Sequence, residues 1–331
     1  MKKAVLTVLK LAIVASALAY LIHSGRLDIF ALSVFWKDPL VLFTNVGLWL
    51  IGAALINTLR WQVLAIGMKL HLPLRRALQM SLTGMFFNTV APGSVGGDLV
   101  KAFYIFREQK SGQGTPALLS IFLDRLVGLY CVFIVAAVLV VSFSSRFLST
   151  PALQPIAVFA ILGCFGITIF FLGIFYFANE KRAPLLQAFL EKPYPGFSFL
   201  RKITQALFAL KDRPSYLVWA ILLGLGFQIL YMTFFWLVTY RITGQELPIA
   251  DFVAVFPLGF LAVALPIAPG GLGVGHLAFE KLFMLIGLSH GATVFNCIFV
   301  GQAALNLLGL IPYLFLKKSS QSARTIPAPV N

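Results

Sequence analysis

The chain has 331 residues, of which 60% are hydrophobic and 11% are charged, whereas a soluble domain averages about 25% charged residues. Its formal net charge is +15, but the basic residues lie between long apolar runs, which is typical of loops that face anionic lipid. This composition excludes an ordinary soluble domain, and the charge pattern does not indicate a nucleic-acid-binding surface. The sequence predicts an all-α integral membrane protein.

Several apolar runs are long enough to cross a bilayer, which takes about 20 residues. We predict about six full transmembrane helices, at residues 4–23, 39–60, 116–141, 153–178, 214–240 and 291–316. The first run also resembles a signal peptide, because Ala15-Ser16-Ala17 is typical of a cleavage site, but Lys10 within the run favours a retained span. The membrane domain is predicted to cover residues 1–318, and the Pro-containing tail, residues 319–331, is predicted to be disordered.

Two further apolar segments, 76–106 and 250–287, are interrupted by Gly and Pro at matching places. Ala91-Pro92-Gly93 corresponds to Ala268-Pro269-Gly270 at an offset of 177 (268 − 91), and Gly96 then corresponds to Gly273. Interrupted segments at corresponding positions of two halves are typical of a transport site. We therefore predict two related halves, residues 1–141 and 153–316.

The distribution of basic residues favours one path for the interrupted segments. The loop at 180–213 contains seven Lys and Arg residues, and the positive-inside rule predicts that it is cytoplasmic. It is cytoplasmic if both segments are re-entrant hairpins, and then both termini are cytoplasmic as well. The two hairpins would enter from opposite faces of the inner (plasma) membrane as an inverted repeat, and their turns would line a central cavity.

The first hairpin has a glycine-rich turn before a helix predicted to begin near Asp98. Free N–H groups at a helix N-terminus bind phosphate or carboxylate, and Lys101 adds a cation on nearly the same face. Alternatively, the turn is purely structural, with Asp98 as the helix cap and Lys101 reaching the membrane interface. Asn88 can bond either freed backbone groups or cargo. The candidate substrate-binding residues here are Asn88, Pro92, Gly93, Ser94, Gly96, Gly97, Asp98 and Lys101.

The turn of the second hairpin is followed by a predicted helix that carries His276 and Glu280 at positions i and i+4. Both side chains can change protonation, and ionisable residues inside a membrane indicate function. The alternative is a histidine that is satisfied by the glutamate on its own helix face. The candidate substrate-binding residues here are Pro269, Gly270, Gly271, Gly273, His276 and Glu280.

Two more charged residues, Asp124 and Arg125, lie within the predicted span 116–141. Each is expected to face the protein interior, because burying a charge without a partner costs several kcal/mol. Arg125 is predicted either to grip a lipid phosphate in a bidentate manner or to form an ion pair with an acidic residue of a hairpin. Arg60 and Trp61, at the end of the second predicted span, are interpreted as interface anchors.

Motifs of soluble enzymes are not found in the sequence, including the nucleotide-binding loop Gly-x-x-x-x-Gly-Lys-Ser/Thr, His-Glu-x-x-His and Gly-x-Ser-x-Gly. The three cysteines, Cys131, Cys164 and Cys297, lie in apolar runs without the spacing of metal ligands. We predict no catalytic residue, no cofactor and no metal site, and a protein that is not an enzyme.

Four motifs resemble the lysylphosphatidylglycerol synthase transmembrane-region family, also described as a flippase-like domain family. They are Leu59-Arg60-Trp61, the run from Asn88 through Gly97-Asp98 to Lys101, Asp124-Arg125-Leu126, and Pro269-Gly270-Gly271-Leu272-Gly273-Val274. The resemblance implies a lipid flippase or lipid-handling protein with a binding cavity between re-entrant helices. Three places depart from the family pattern. Around Asp98 and Lys101 the family usually has Glu or Asp followed by Arg, and it commonly has Glu-Arg where Asp124-Arg125 stands. His276 stands where the family usually has a glutamate. The resemblance also implies a standalone member that lacks the aminoacyl-transfer domain and does not synthesise lysyl-lipid.

Three hypotheses follow. The first is a flippase that moves an anionic phospholipid, or a lipid-linked glycan or isoprenoid precursor, between leaflets. The second is an accessory subunit or membrane-embedded enzyme that presents lipid to a glycosyltransferase. The third is a proton-coupled transporter of small solutes that uses Asp98, His276 and Glu280. The expected partners are the lipid substrate and anionic inner-leaflet lipids, and the candidate protein partners are a glycosyltransferase, another lipid-synthesis enzyme and a second copy of the chain.

Overall fold

The computed structural model describes residues 33–90, 96–109, 113–177, 210, 212–245, 249–264 and 273–315. Within these ranges the secondary structure is entirely helical, as predicted, and no strand is present. The helices are α1 Ser33–Lys37, α2 Pro39–Gly67, α3 Leu74–Val90, α4 Gly96–Glu108, α5 Gly114–Ser142, α6 Ser144–Ser149, α7 Gln154–Phe177, α8 Pro214–Thr243, α9 Ile249–Ala264, α10 Val274–Leu285 and α11 Gly291–Phe315.

Four of these helices, α2, α5, α8 and α11, are long and apolar enough to cross a membrane. They correspond to the predicted spans 39–60, 116–141, 214–240 and 291–316. Helix α7 occupies the predicted span 153–178 but contributes a shorter apolar stretch, Ala157–Gly173. The predicted span 4–23 and the tail lie outside the described residues, and so does most of the loop at 180–213.

Helix α2 begins at a well-defined cap and contains an unusual middle segment. The Asp38 carboxylate accepts hydrogen bonds from the backbone N–H groups of Leu40 and Val41, at 3.0 and 3.4 Å. It also pairs with Arg241 near the end of α8, with 3.2 Å between Nε and Oδ2. Residues Leu48–Ile56 form a π-helix of nine residues. Wide turns of this kind are rare and are often found at functional sites.

The first interrupted segment folds into two helices that pack against each other. Arg76 in the first turn of α3 forms an ion pair with Glu108 at the end of α4. At the same end, the Gln109 side chain donates to the His71 carbonyl oxygen at 3.0 Å. The chain therefore returns to its starting level, and α3 and α4 are antiparallel. Helix α3 has 17 residues and α4 has 13. At about 1.5 Å per residue, α4 is about 20 Å long, which is shorter than the ~30 Å hydrocarbon core of a bilayer.

Two glycines allow α3 and α4 to approach closely. A Cβ atom at Gly97 would collide with the Gly84 carbonyl oxygen and lie 2.6 Å from its carbonyl carbon. Because these are backbone atoms, no side-chain movement could relieve the overlap. The two helices therefore cross with backbone against backbone at this point.

The second interrupted segment also forms two packed helices, α9 and α10, of 16 and 12 residues. The Phe235 ring of α8 contacts the rings of Phe252 at one end of α9 and Phe283 at the far end of α10, with centroid distances of 6.0 and 6.4 Å. Gly259 provides space for the Phe279 ring between the two helices. The turns at 91–95 and 265–272, which carry most of the repeat motif, lie outside the described residues.

Helix α11 contacts both pairs of short helices. A Cβ atom at Gly309 would lie 2.8 Å from the backbone carbonyl carbon of Leu82 on α3. Gly275 on α10 leaves room for the Phe295 ring of α11, and Phe295 stacks on Phe279 at 5.4 Å. One long helix thus supports the two elements that the sequence predicts as a repeat.

Candidate functional site

Five charged side chains from α2, α4 and α5 lie together, and two of them form a buried ion pair. Arg60 Nε lies 2.7 Å from Asp124 Oδ1, and the side chains are only 9% and 8% exposed. Gly128 makes room for the guanidinium group, since a Cβ atom there would lie 3.2 Å from Arg60 Nη2. Removing two charges from water is costly unless they pair with good geometry, so this pair ties α2 to α5.

Arg125 forms the second pair with Asp98, in the first turn of α4. Its Nε and Nη2 atoms donate to the two carboxylate oxygens, each at 2.8 Å. This is the bidentate arrangement that gives Arg–carboxylate pairs their strength. The Arg125 side chain is 54% exposed and that of Asp98 is 17% exposed. Of the two roles predicted for Arg125, the structure shows the second, an ion pair with an acidic residue of the first interrupted segment, Asp98.

Lys101 is the remaining charged group of this cluster. Its Nζ atom lies 5.0 Å from the centroid of the Trp61 ring, and its alkyl stem packs over Gly84. The two nearby carboxylates are occupied by arginines, and within the described ranges no carboxylate forms an ion pair with Lys101. A cation held on an aromatic face keeps its charge available to an anion. The cluster of Arg60, Asp98, Lys101, Asp124 and Arg125, hereafter the charged cluster, carries a formal charge of +1 (3 − 2).

The interpretation of Arg60 and Trp61 as interface anchors is wrong. Both residues are buried, with 7% and 0% exposure, so neither can lie among lipid headgroups. The Trp61 indole N–H donates to Ser120 Oγ at 3.2 Å, and Ser120 in turn donates to the Ala117 carbonyl oxygen at 2.7 Å. Asp124 satisfies Arg60, which is why an arginine is tolerated at this depth.

Asn88 holds the start of α4. Its Oδ1 atom accepts a hydrogen bond from the Gly97 backbone N–H at 2.7 Å. This N–H has no partner within its own helix, because the first four N–H groups of an α-helix are free. Asn88 therefore has the first of its two predicted roles, the bonding of a freed backbone group. Pro92, Gly93 and Ser94 lie outside the described residues.

Among the residues that the structure describes, four buried side-chain oxygens of α2 and α3 have no hydrogen-bond partner. They are Asn57 Oδ1, Thr58 Oγ1, Ser81 Oγ and Thr83 Oγ1. Buried polar atoms are normally satisfied, so such exceptions call for an explanation. These residues were not among the candidates predicted from the sequence. In the sequence, such residues can be recognised as small polar residues within an apolar helix, one turn from a motif residue such as Trp61.

In the second interrupted segment, His276 and Glu280 of α10 do not bond to each other. His276 Nδ1 accepts from the Gly273 backbone N–H at 3.3 Å, and Nε2 lies 3.3 Å from Asn296 Oδ1 on α11. These contacts assign the proton to Nε2. Glu280 Oε2 accepts from the Ala292 backbone N–H at the start of α11, at 2.8 Å. The predicted alternative of a histidine satisfied by its own-face glutamate is therefore wrong, and Pro269, Gly270 and Gly271 are outside the described residues.

Amide side chains along α11 bond to several other helices, which the sequence analysis did not predict. Asn306 donates to Thr89 Oγ1 on α3 at 3.2 Å and accepts from the Trp49 indole N–H on α2 at 2.9 Å. Gln302 donates to Asn45 Oδ1 on α2 at 2.7 Å. With the Asn296–His276 contact, these bonds place polar groups of α11 against α2, α3 and α10.

Replacing Asn306 with Ala should lower the free energy of unfolding by about 1–3 kcal/mol, because it leaves the Trp49 N–H buried without an acceptor. The measurement is denaturant unfolding in mixed micelles, followed by tryptophan fluorescence. Gln154→Ala is the matched control, since the Gln154 amide donates to Leu148 at an exposed position. Equal stability of the two variants would contradict the bridging role of Asn306.

The part of the chain that matches a known family includes both helix pairs and the charged cluster. The sequence profile described as "Lysylphosphatidylglycerol synthase TM region" matches residues 7–309 of the 331-residue chain. The chain belongs to this family. The lysylphosphatidylglycerol synthase TM-region family is one of membrane proteins with a lipid-related role, and the match includes every residue of the charged cluster. No curated protein and no solved structure matches the chain significantly.

Proposed function

We propose that this protein moves a lipid with an anionic headgroup between the two leaflets, with the headgroup phosphate bound at the charged cluster. The observation that carries the proposal is Lys101, a partly buried cation that lies against an aromatic face and, among the described residues, forms no ion pair, because the two nearby carboxylates pair with arginines. Family membership supports a lipid as the cargo. The proposed process is translocation rather than covalent chemistry.

The two ion pairs give the charged residues different roles in the proposed site. Arg60 and Asp124 are buried and satisfy each other, so their role is to hold α2 against α5. Arg125 is more exposed, and its Nε and Nη2 atoms are engaged by Asp98. Lys101 is therefore the first ligand of the phosphate, and Arg125 can add its remaining N–H groups or, after releasing Asp98, a bidentate contact.

The short helix pairs support a path through the protein. Helices α4 and α10 have 13 and 12 residues, which is too short for the ~30 Å hydrocarbon core. Two antiparallel pairs of this kind fit re-entrant hairpins whose turns meet near the midplane. Non-helical backbone at that depth is tolerated where it lines a cavity, and this cavity would take the headgroup while the acyl chains stay in lipid.

The proposal includes an orientation and a location. With both hairpins re-entrant, the termini and the basic loop at 180–213 are on the cytoplasmic side of the cell membrane. Anionic lipids of the inner leaflet then attract the basic loops. A transferase that supplies or consumes the lipid is the proposed protein partner.

Replacing Lys101 with Met tests the proposal, since Met keeps the packing on Gly84 but removes the charge. We expect the rate of translocation of a fluorescent anionic phospholipid in proteoliposomes to fall by about tenfold to a hundredfold, the value of one charge-assisted hydrogen bond. Lys281→Met, at an exposed position of α10, is the control and should keep the wild-type rate. Equal rates for the two variants would refute Lys101 as the phosphate ligand.

A further inference from the structure

We propose that His276 positions the start of α10 in a pH-dependent way: the neutral ring holds Gly273, the protonated ring releases it, and the rate of translocation follows. The inference concerns the second interrupted segment and shares no residue with the charged cluster. The contacts of the His276 ring with Gly273 and with α11 carry its structural part. Its effect on translocation rests in addition on the proposed function.

His276 fixes the residue from which α10 starts. Gly273 lies directly before the helix, and its carbonyl oxygen accepts a hydrogen bond from the Leu277 N–H at 2.9 Å. The Gly273 N–H donates to His276 Nδ1 at 3.3 Å. Gly273 has φ 78° and ψ −57°, a conformation that glycine adopts readily because it has no Cβ atom. The same freedom lets glycine leave this conformation, so the bond to His276 restricts it.

Helix α11 holds the His276 ring in the orientation that this bond needs. The Nε2 atom lies 3.3 Å from Asn296 Oδ1. The neighbouring residue, Phe295, contacts the imidazole edge to face, with 5.0 Å between the ring centroids. Turning the imidazole over would move Nε2 away from Asn296 and Nδ1 away from Gly273. Two successive residues of α11 therefore keep Nδ1 directed at the start of α10.

A proton on the ring breaks one of its two bonds and leaves the other. Neutral imidazole accepts at one nitrogen and donates at the other, whereas both nitrogens of the cation donate. Protonated Nδ1 would therefore place a second donor against the Gly273 N–H. It would also add a positive charge at the N-terminal end of α10, where the helix dipole disfavours it. The Nε2–H group still donates to Asn296, so the ring stays on α11 while Gly273 is released.

Charged groups on the surrounding helices do not take over this response. The described acidic, basic and histidine side chains on or next to α10 and the helices packed against it are Asp251 on α9, Arg241 on α8, His290 before α11, and Glu280 and Lys281 on α10 itself. Glu280 and Arg241 are bonded elsewhere, to the start of α11 and to Asp38, and Lys281 is exposed. Helix α11 and the residues between α9 and α10 contain no acidic or basic side chain.

Asp251 lies at the other end of the helix pair. Its neighbour Phe252 contacts the Phe235 ring, and so does Phe283 of α10, with centroid distances of 6.0 and 6.4 Å. Asp251 is therefore level with Phe283, which is seven residues (283 − 276) and about 10 Å along α10 from His276. The pH response thus belongs to the ring and its two bonds.

Nuclear magnetic resonance of selectively labelled imidazole nitrogens, in phosphatidylcholine nanodiscs, tests the structural part. The chain has four histidines, so each signal can be assigned by replacement. We expect the neutral form with the proton on Nε2 at about pH 7.5 and the cation at about pH 5, within the range in which histidine changes charge. A proton on Nδ1 at the higher pH, or a neutral ring at the lower pH, would overturn the inference.

Hydrogen exchange of the backbone amides at 273–277, normalised to the intrinsic rate at each pH, measures the release of Gly273. Protection should fall about threefold to tenfold from about pH 7.5 to about pH 5, the value of one hydrogen bond. His276→Gln should remove this fall, because a glutamine at the third helical position reaches back to the same N–H and does not titrate. Retention of the fall in this variant would overturn the role of His276.

Two more variants separate the bond from the shape of the ring. His276→Phe keeps a ring against Phe295 but cannot accept from Gly273, so it should have the low protection at both pH values. His71→Gln, at an exposed position between α2 and α3, is the matched control and should keep the wild-type pH dependence.

The rate of translocation of fluorescent phosphatidylglycerol in proteoliposomes tests the functional part. Wild-type protein should be about threefold to tenfold slower at about pH 5 than at about pH 7.5, and His276→Gln should have the same rate at both. A pH-independent wild-type rate, together with pH-dependent exchange, would overturn the control of translocation and leave the proposed function standing. Failure of the proposed function has a different sign, namely a wild-type rate for Lys101→Met, and leaves the resonance and exchange results unaffected.

Discussion

Replacing Asp124 with Ala should lower the free energy of unfolding by roughly 3–5 kcal/mol, because it leaves the Arg60 guanidinium buried without a counter-charge. Arg60 is 7% exposed and has its Nε atom 2.7 Å from Asp124. At this exposure bulk water solvates the guanidinium poorly, and among the described residues Arg60 forms no ion pair other than the one with Asp124. Denaturant unfolding in mixed micelles measures the change.

Two further variants make this prediction specific. Glu108→Ala removes a partner from the Arg76 ion pair, whose side chains are 21% and 29% exposed, and a pair of that kind contributes at most about 1 kcal/mol. The double replacement Arg60→Met with Asp124→Leu removes both charges and should recover most of the stability. If Asp124→Ala were as stable as Glu108→Ala, the buried pair would not hold α2 against α5.

Replacing Gly97 with Ala should separate α3 from α4 and cost about 3 kcal/mol or more, at the upper end for overpacked sites. The added Cβ atom meets the backbone of Gly84, and backbone can move only if a whole helix moves. Lys101 and Asp98 lie on α4 one to four residues beyond Gly97, so the shift would also displace the charged cluster. Unfolding and the translocation assay should therefore both change.

The control for this prediction is Gly166→Ala on α7, where nothing lies within 4 Å of the added Cβ atom. Within a helix an Ala is more stable than a Gly by about 0.5–1 kcal/mol, so this variant should be at least as stable as wild type. If both Ala variants unfolded at the same denaturant concentration, the close crossing of α3 and α4 would be refuted.

Hydrophobic length was enough to predict the positions of α2, α5, α8 and α11, because a bilayer requires long apolar segments. It did not predict where α2 ends. The predicted span stopped at residue 60, whereas the helix continues to Gly67, which places Arg60 about 10 Å from its end. A guanidinium at that depth needs a partner, and Asp124 could be paired with it only in three dimensions.

Local spacing was misleading for the second hairpin. His276 and Glu280 share a helix face at i and i+4, but Asn296 and the Ala292 N–H, which come later in the chain, bond them separately. The amides of α11 have partners more than 200 residues away, in the case of Asn306 with Thr89 and Trp49. No periodicity within one segment carries information about such contacts.

The π-helix in α2 has a consequence for the direction of its side chains. Trp49 and Arg60 are eleven residues apart (60 − 49), which is about three turns of a regular α-helix at ~3.6 residues per turn, so a regular helix would point them the same way. Instead they bond to Asn306 of α11 and Asp124 of α5. The wide turns of the π-helix rotate the two side chains relative to each other about the helix axis. Removing a single residue from 48–56 would change this rotation and turn either the Trp49 N–H or the Arg60 guanidinium toward the acyl chains.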